Sequence, residues 1–121
     1  MADLETVSNA FIEAHALKPK DTHVALALGV LAFIRRSFPD AAKFFEDGIR
    51  ENPTDHTLWN KYGAAMANSQ NIPAALKIYH QALDLRPNYV RTMANIGLAY
   101  RSQGLYSESL PYFLNALLLN P

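Results

Sequence analysis

Four prolines recur at Pro19, Pro53, Pro87 and Pro121, each 34 residues after the one before. A period of that length marks a chain built from copies of one supersecondary unit, none of which can bury its apolar face alone. Other residue types keep the same phase: glycines at Gly29, Gly63 and Gly97, aromatics at Phe11, Phe45, Tyr79 and Phe113, and small residues at Ala14, Gly48, Ala82 and Ala116. Four residue classes in step leave chance a poor account of the pattern. Each class has a physical role. Glycine and the small residues let two helices approach closely. The large aromatic is expected to fill the space between one helix pair and the next. Proline ends the second helix of each copy, because it has no N–H and its ring clashes with the preceding turn.

This pattern predicts helices at about 3–17, 22–36, 39–51, 56–69, 73–85, 90–103 and 107–119. Pro39 and Pro73 are equivalent positions in the first turn of a helix, where proline is tolerated. Pro111 lies deeper, so its helix is expected to start late or to bend. The period and the residues resemble the tetratricopeptide repeat, whose copies read W-x2-L-G-x2-Y, then A-x3-F, then P. The best copy carries Trp59, Tyr62, Gly63, Met66, Ala75, Tyr79, Ala82 and Pro87. The resemblance implies an all-α solenoid of antiparallel helix pairs, wound as a right-handed superhelix. Residues 1–121 read as a single array, with 1–19 the second helix of a partial repeat and 22–55, 56–89 and 90–121 full copies. The orphan first helix reads as part of a longer array. Helix 107–119 is apolar around much of its circumference, so a further helix or a second copy of the chain is expected to cover it.

Composition narrows the function classes. Half of the 121 residues are apolar, only 18% are charged and the formal net charge is zero. Disorder needs the opposite balance, and no bulk basic field points to nucleic acid or an anionic membrane. Without cysteine there is neither a disulfide nor a thiolate metal site. The longest apolar run, Val24 to Ile34, is far short of the ~20 residues that span a bilayer. The start of the chain lacks a basic region before an apolar core, so a cytoplasmic protein is the default expectation. His15, His23, His56 and His80 have no metal-binding spacing and read as surface or groove residues. No phosphate loop or dinucleotide fingerprint is present, and no cofactor is expected. Neither is an enzyme.

In the repeat family, the first helix of each pair lines a concave binding face. By that resemblance the face carries His23, Leu26, Ala27, Val30, Phe33 and Ile34 in the first copy. In the second copy it carries Thr57, Asn60, Lys61, Ala64, Ala67 and Asn68, and in the third Arg91, Ala94, Asn95, Leu98, Arg101 and Ser102; of these Asn60, Lys61, Ala64, Asn68, Arg91, Asn95 and Ser102 are the candidate binding residues. The first copy is apolar there and the later ones are amide-rich and cationic. Asparagine offers both a donor and an acceptor and can hold a peptide backbone without reading side chains. Lys61 and Arg91 can receive a carboxylate, and Ala64 leaves room between the polar groups. An extended peptide with a free C-terminus fits this set. Trp59 occupies a signature position and reads as packing.

The segments Leu58-Trp59-Asn60-Lys61-Tyr62-Gly63-Ala64-Ala65-Met66-Ala67-Asn68 and Tyr89-Val90-Arg91-Thr92-Met93-Ala94-Asn95-Ile96-Gly97 resemble late repeats of the peroxisomal targeting-signal type-1 receptor family, peroxin 5. That family recognises cargo whose C-terminus is Ser-Lys-Leu or a relative, an address read by a receptor. The resemblance implies that Asn60, Asn68 and Asn95 hydrogen-bond the cargo backbone or its terminus. It implies that Lys61 and Arg91 supply charge near the terminal carboxylate and that Ala64 helps line a pocket for the terminal leucine. Ser102 stands where the family commonly has another asparagine, and serine is shorter, so that contact is expected to be lost or bridged by water. It further implies cycling between cytoplasm and peroxisome membrane, and docking proteins there. A chaperone adaptor for acidic C-termini would need asparagine where this chain has Val30, Ala64 and Leu98. A scaffold without terminal-peptide preference is the remaining alternative.

Overall fold

The computed structural model describes residues 3–119. Pro121, the last proline of the series, lies outside the described residues, as does the end of the repeat placed at 90–121. Among the described residues seven helices follow one another: α1 Leu4–Leu17, α2 Thr22–Ile34, α3 Phe38–Glu51, α4 His56–Asn68, α5 Ile72–Leu85, α6 Val90–Ser102 and α7 Tyr106–Leu119. Among the described residues there is no strand. Helices α2 and α3, α4 and α5, and α6 and α7 pack as pairs, and α3–α4 and α5–α6 join each pair to the next. The fold is an all-α solenoid of helix pairs. Pro39 and Pro73 sit in the first turns of α3 and α5. The helix carrying Pro111 does not start late, because it begins at Tyr106 with Pro111 inside it.

The chain writes its helix ends in repeat phase. Asp21 and Asp55 cap α2 and α4 by accepting from the backbone N–H of His23 at 2.9 Å and of Thr57 at 3.0 Å. The first helices of the three pairs all close with one turn geometry. Ser37, Asn71 and Leu105 donate their N–H to the carbonyls of Ala32, Met66 and Tyr100, five residues back. This is the Schellman closure, and it needs a left-handed residue just before. Arg36, Gln70 and Gly104 fill that place with φ of 64°, 66° and 76°. The prolines end the other helices. Lys18, Asn52 and Arg86, each immediately before a repeat proline, leave the helical region at φ of −135°, −141° and −135°. The proline ring disfavours the helical conformation in the residue before it.

The glycine series and the aromatic series meet inside each pair. A Cβ on Gly29 would lie 2.4 Å from Phe45 Cε1, one on Gly63 2.6 Å from Tyr79 Cδ1 and one on Gly97 2.8 Å from Phe113 Cε1. The aromatic was expected between neighbouring pairs. Its ring instead lies first against the glycine of its own pair, where the missing side chain leaves a slot for it. From that seat it still reaches the next repeat, since Phe45 shares a buried cluster with Leu58 and Ala65. A second cluster joins Ala75 and Tyr79 to Ile96 and Ala99. On α7, Leu110, Leu114, Leu117 and Leu118 are exposed. Leu110 and Leu117 are equivalent to Ala42 and Ile49, which the next repeat buries.

Candidate functional site

The site is assembled from α2, α4 and α6, the first helices of the three pairs. Asn60 lies midway along α4 and is buried to 6% exposure. Its Oδ1 accepts two hydrogen bonds, from Thr92 Oγ1 at 3.0 Å and from Asn95 Nδ2 at 3.1 Å. Both donors are on α6, so one amide ties two consecutive repeats together. Among the described residues, Asn60 Nδ2 and Asn95 Oδ1 have no protein partner. The pair therefore keeps an open amide donor group and an open amide oxygen, the complement of a peptide group.

Two adjoining hollows open on this face. The first, of about 340 Å³, gathers Asn60, Lys61, Ala64, Arg91 and Asn95 against an apolar wall from Val30, Phe33, Ile34 and Phe45. It contains two cations and no carboxylate. Among the described residues the salt bridges join Arg50 to Glu46 and Asp47, which leaves Lys61 and Arg91 without a carboxylate partner. The second hollow, also about 340 Å³, shares Phe33, Ala64 and Asn95 with the first and adds Asn68 and Ser102. The seven candidate residues of the later copies thus line one of two adjoining hollows; of the first copy's set, Val30, Phe33 and Ile34 line them and His23, Leu26 and Ala27 do not. Their readiness differs. Asn68 Nδ2 donates to the Ala64 carbonyl of its own helix at 2.8 Å, and Ser102 Oγ donates to the Ala99 carbonyl at 2.7 Å. Those two offer fewer open groups than the Asn60–Asn95 pair. Tyr79 lines the floor of the second hollow, and burial pushes its hydroxyl pKa up to about 12.

Sequence reasoning missed Thr92 as part of the site. Its equivalents in the earlier copies are Val24 and Leu58, so a polar residue at an otherwise apolar, buried position was the available signal. Trp59 packs against the core and its Nε1 donates to the Pro53 carbonyl at 2.7 Å. Three of the four histidines are half-buried. His15, His56 and His80 stand edge-on to Phe44, Tyr89 and Tyr112, while His23 is exposed. Among the described residues no group of His, Asp and Glu could hold a metal ion, and no helix is long and apolar enough to cross a membrane.

Known proteins resemble the chain in two ways. A family model described as Tetratricopeptide repeat matches residues 7–56 and 64–121. The peroxisomal targeting signal receptor of Saccharomyces cerevisiae is 33% identical over 112 residues, covering 92% of this chain and 18% of the receptor. That of Kluyveromyces lactis is 36% identical over 104 residues, covering 86% of this chain and 18% of the receptor. The chain therefore spans less than a fifth of the length of these relatives. Among solved structures, MamA from Desulfovibrio magneticus RS-1 superposes with a TM-score of 0.91 at 15% identity, over 97% of this chain and 66% of that one. Another MamA structure gives 0.87 at 24% identity, over 97% and 67%. These two establish the fold and nothing about ligands.

Proposed function

This chain belongs to the tetratricopeptide-repeat family, and on that premise we propose that its concave hollows bind the free C-terminus of a partner protein. One observation carries the reading. Two amides with an open donor and acceptor, and two cations without carboxylate partners, converge on an apolar hollow that contains no acid. In this reading Lys61 and Arg91 hold the terminal carboxylate, Asn60 and Asn95 the last peptide groups, and Ala64 makes room for the terminal side chain. Asn68 and Ser102 extend the contact upstream, after giving up the internal bonds they now make. The chain recognises and carries, and it catalyses nothing.

Similarity to peroxisomal targeting signal receptors over 92% of the chain supports a narrower statement. The partner is cargo ending in Ser-Lys-Leu or a relative, and the protein to which this array belongs moves between the cytoplasm and docking proteins at the peroxisome membrane. The exposed leucines of α7 support association with a further helix or a second copy, and a monomeric mass in light scattering at high concentration would rule out the second copy. The decisive measurement for the site is titration of a labelled peptide ending in Ser-Lys-Leu, as the free acid and as the amide. We expect the acid to bind and the amide to lose most of the affinity. Equal binding of the two removes the carboxylate from the account and leaves a scaffold without terminal-peptide preference.

A further inference from the structure

Away from the concave hollows, the junctions between helix pairs are closed differently from copy to copy. Four positions in repeat phase allow the comparison. At the second junction they hold Glu46, Tyr62, Met66 and Ile78, and at the third His80, Ile96, Tyr100 and Tyr112. The Tyr62 hydroxyl bridges the second by donating to Glu46 Oε2 at 2.8 Å. Rings bridge the third, where the centroids of His80 and Tyr100 lie 6.1 and 5.7 Å from that of Tyr112. At the first junction the same positions hold Ile12, Leu28, Ala32 and Phe44. Ala32 stands where Met66 and Tyr100 stand, and a hollow of about 200 Å³ opens beside it between α1, α2 and α3. Its α2 residues, Leu28, Ala32 and Arg35, lie on the side of that helix away from Val30, Phe33 and Ile34. It shares no lining residue with the concave hollows.

Polar groups gather on the rim of this hollow. Ser8 is buried to 4% exposure at a position that is Ala42, Leu76 and Leu110 in the copies that follow. Its Oγ accepts from Arg35 Nη1 at 3.3 Å, and its own proton has no partner among the described residues. Arg35 is exposed and pairs with no carboxylate there, Asp40 across the hollow included. From these features we infer a second binding site, on the side of α2 opposite the peptide groove. Its ligand is an internal segment of a partner protein in which a large apolar side chain stands beside carboxylates. The apolar side chain enters against Ile12, Ala32 and Phe44. A carboxylate pairs with Arg35 and accepts the free proton of Ser8. Size supports this assignment. A hollow of about 200 Å³ divided by the ~30 Å³ share of a water molecule holds on the order of seven heavy atoms, the content of a benzyl side chain. Charge supports it too. Arg36 lies between the lining residues Arg35 and Ser37, and Lys43 directly precedes the lining residue Phe44. All three cations are exposed and Asp40 is the one acid of the lining, so the rim favours an acidic segment over a basic one. The site needs no free C-terminus and stands independently of the reading above.

The test uses the chain itself, isotopically labelled for amide spectra, with the peptides Gly-Glu-Phe-Glu-Gly, Gly-Glu-Ala-Glu-Gly and Gly-Lys-Phe-Lys-Gly. All are acetylated and amidated, so none offers a terminal carboxylate to the concave face. The Glu-Phe-Glu peptide is expected to shift the amide resonances of Ser8, Ala32 and Arg35 and to leave those of Asn60 and Asn95 in place. Exchanging its phenylalanine for alanine should weaken binding roughly tenfold or more, the range of one buried apolar side chain. Exchanging its glutamates for lysines should weaken it by up to about fivefold for each exposed charge pair lost. Ala32→Met fills the hollow with the side chain that Met66 supplies at the second junction and should abolish the shifts. If Ala32→Met does not fold, Arg35→Glu takes its place, because that side chain is exposed; it should turn the preference toward the lysine peptide. A Glu-Phe-Glu peptide that moves no resonance around the hollow overturns the inference. So does equal binding of the alanine or the lysine peptide, or binding that survives Ala32→Met or keeps its charge preference in Arg35→Glu.

Discussion

Substituting Asn60 by alanine perturbs the scaffold as well as the groove, and the structure allows the two effects to be separated. Asn60 Oδ1 is the acceptor for Thr92 Oγ1, and Thr92 is fully buried at 0% exposure. In Asn60→Ala the Thr92 hydroxyl keeps its burial and loses its partner, which costs about 1–3 kcal/mol. Asn95 also loses its acceptor, but it is only half-buried and water replaces most of that bond. Thr92→Val removes the donor instead. Asn60 then keeps Asn95, nothing buried is orphaned, and the expected cost is about 0.5–1 kcal/mol, one modest hydrogen bond. The double variant has neither the acceptor nor the stranded hydroxyl. It should be less destabilised than the sum of the singles by about 1 kcal/mol or more. Urea unfolding followed by far-ultraviolet circular dichroism reads all four proteins. A loss below about 0.5 kcal/mol in Asn60→Ala, or strict additivity in the double variant, refutes the inter-repeat tie. The cycle also protects the functional test. Thr92→Val breaks the tie and spares the amide, so it should bind peptide nearly as the parent chain does, whereas Asn60→Ala should not.

Three further outcomes follow from the packing and the turns. Gly63→Ala gains up to ~1 kcal/mol of helix propensity, but its Cβ would stand 2.6 Å from Cδ1 and Cε1 of Tyr79; overpacking costs about 1–3 kcal/mol, so denaturant titration should show a net loss of about 1 kcal/mol. Gln70→Gly places at φ 66° the residue that position favours, as Gly104 already does in the third pair, and should raise stability by about 0.5–1 kcal/mol in the same assay. Tyr79 governs alkaline stability: below pH 10 its hydroxyl is protonated in both states, and between 10 and about 12 the unfolded chain ionises first because burial has raised the folded pKa. Stability therefore falls by about 2–3 kcal/mol across that interval. Tyr79→Phe should flatten the fall without abolishing it, since Tyr62 is also pushed up to about 12, by burial and then by its hydrogen bond to Glu46, but is far more open to solvent.

The sequence made the helices and their second-helix stops legible because each rests on a residue with one strong physical habit. Proline cannot continue a helix and constrains the residue before it, so Pro19, Pro53 and Pro87 mark their helix ends without help from tertiary structure. The left-handed turn within each pair was illegible for the converse reason. Only Gly104 advertises it, while Arg36 and Gln70 are held at positive φ by the closing hydrogen bonds of Ser37 and Asn71, a constraint that no side-chain preference announces. The gathering of Asn60, Lys61, Arg91 and Asn95 could be anticipated because the repeat places equivalent positions on one face. The tie through Thr92 could not, because it depends on which amide atom turns inward. The seat of the aromatic on the glycine of its own pair needed the distance between two helices, and a period gives order along the chain but no distance across it.

That division explains how this chain can carry a site at all. Gly29, Gly63 and Gly97 keep one residue type because each accepts a ring, and a change there moves two helices. The groove positions seat no such ring, although Asn60 bonds to Thr92 and Asn95. Leu26, Asn60 and Ala94 are equivalent, as are Ala27, Lys61 and Asn95, and so are Phe33, Ala67 and Arg101. Each series mixes apolar and polar residues from copy to copy over the same run of helices. An apolar wall from one repeat can therefore face amides from the second and a guanidinium from the third. Each repeat touches mainly its neighbours, so such a hollow must be written across consecutive copies. The Asn60–Thr92 bond spans that junction. Together with the Asn60–Asn95 bond it joins α4 to α6 and turns the Asn60 oxygen toward α6. Scaffold and recognition meet at that amide, which is why the stability of Asn60→Ala has to be measured before its affinity can be interpreted.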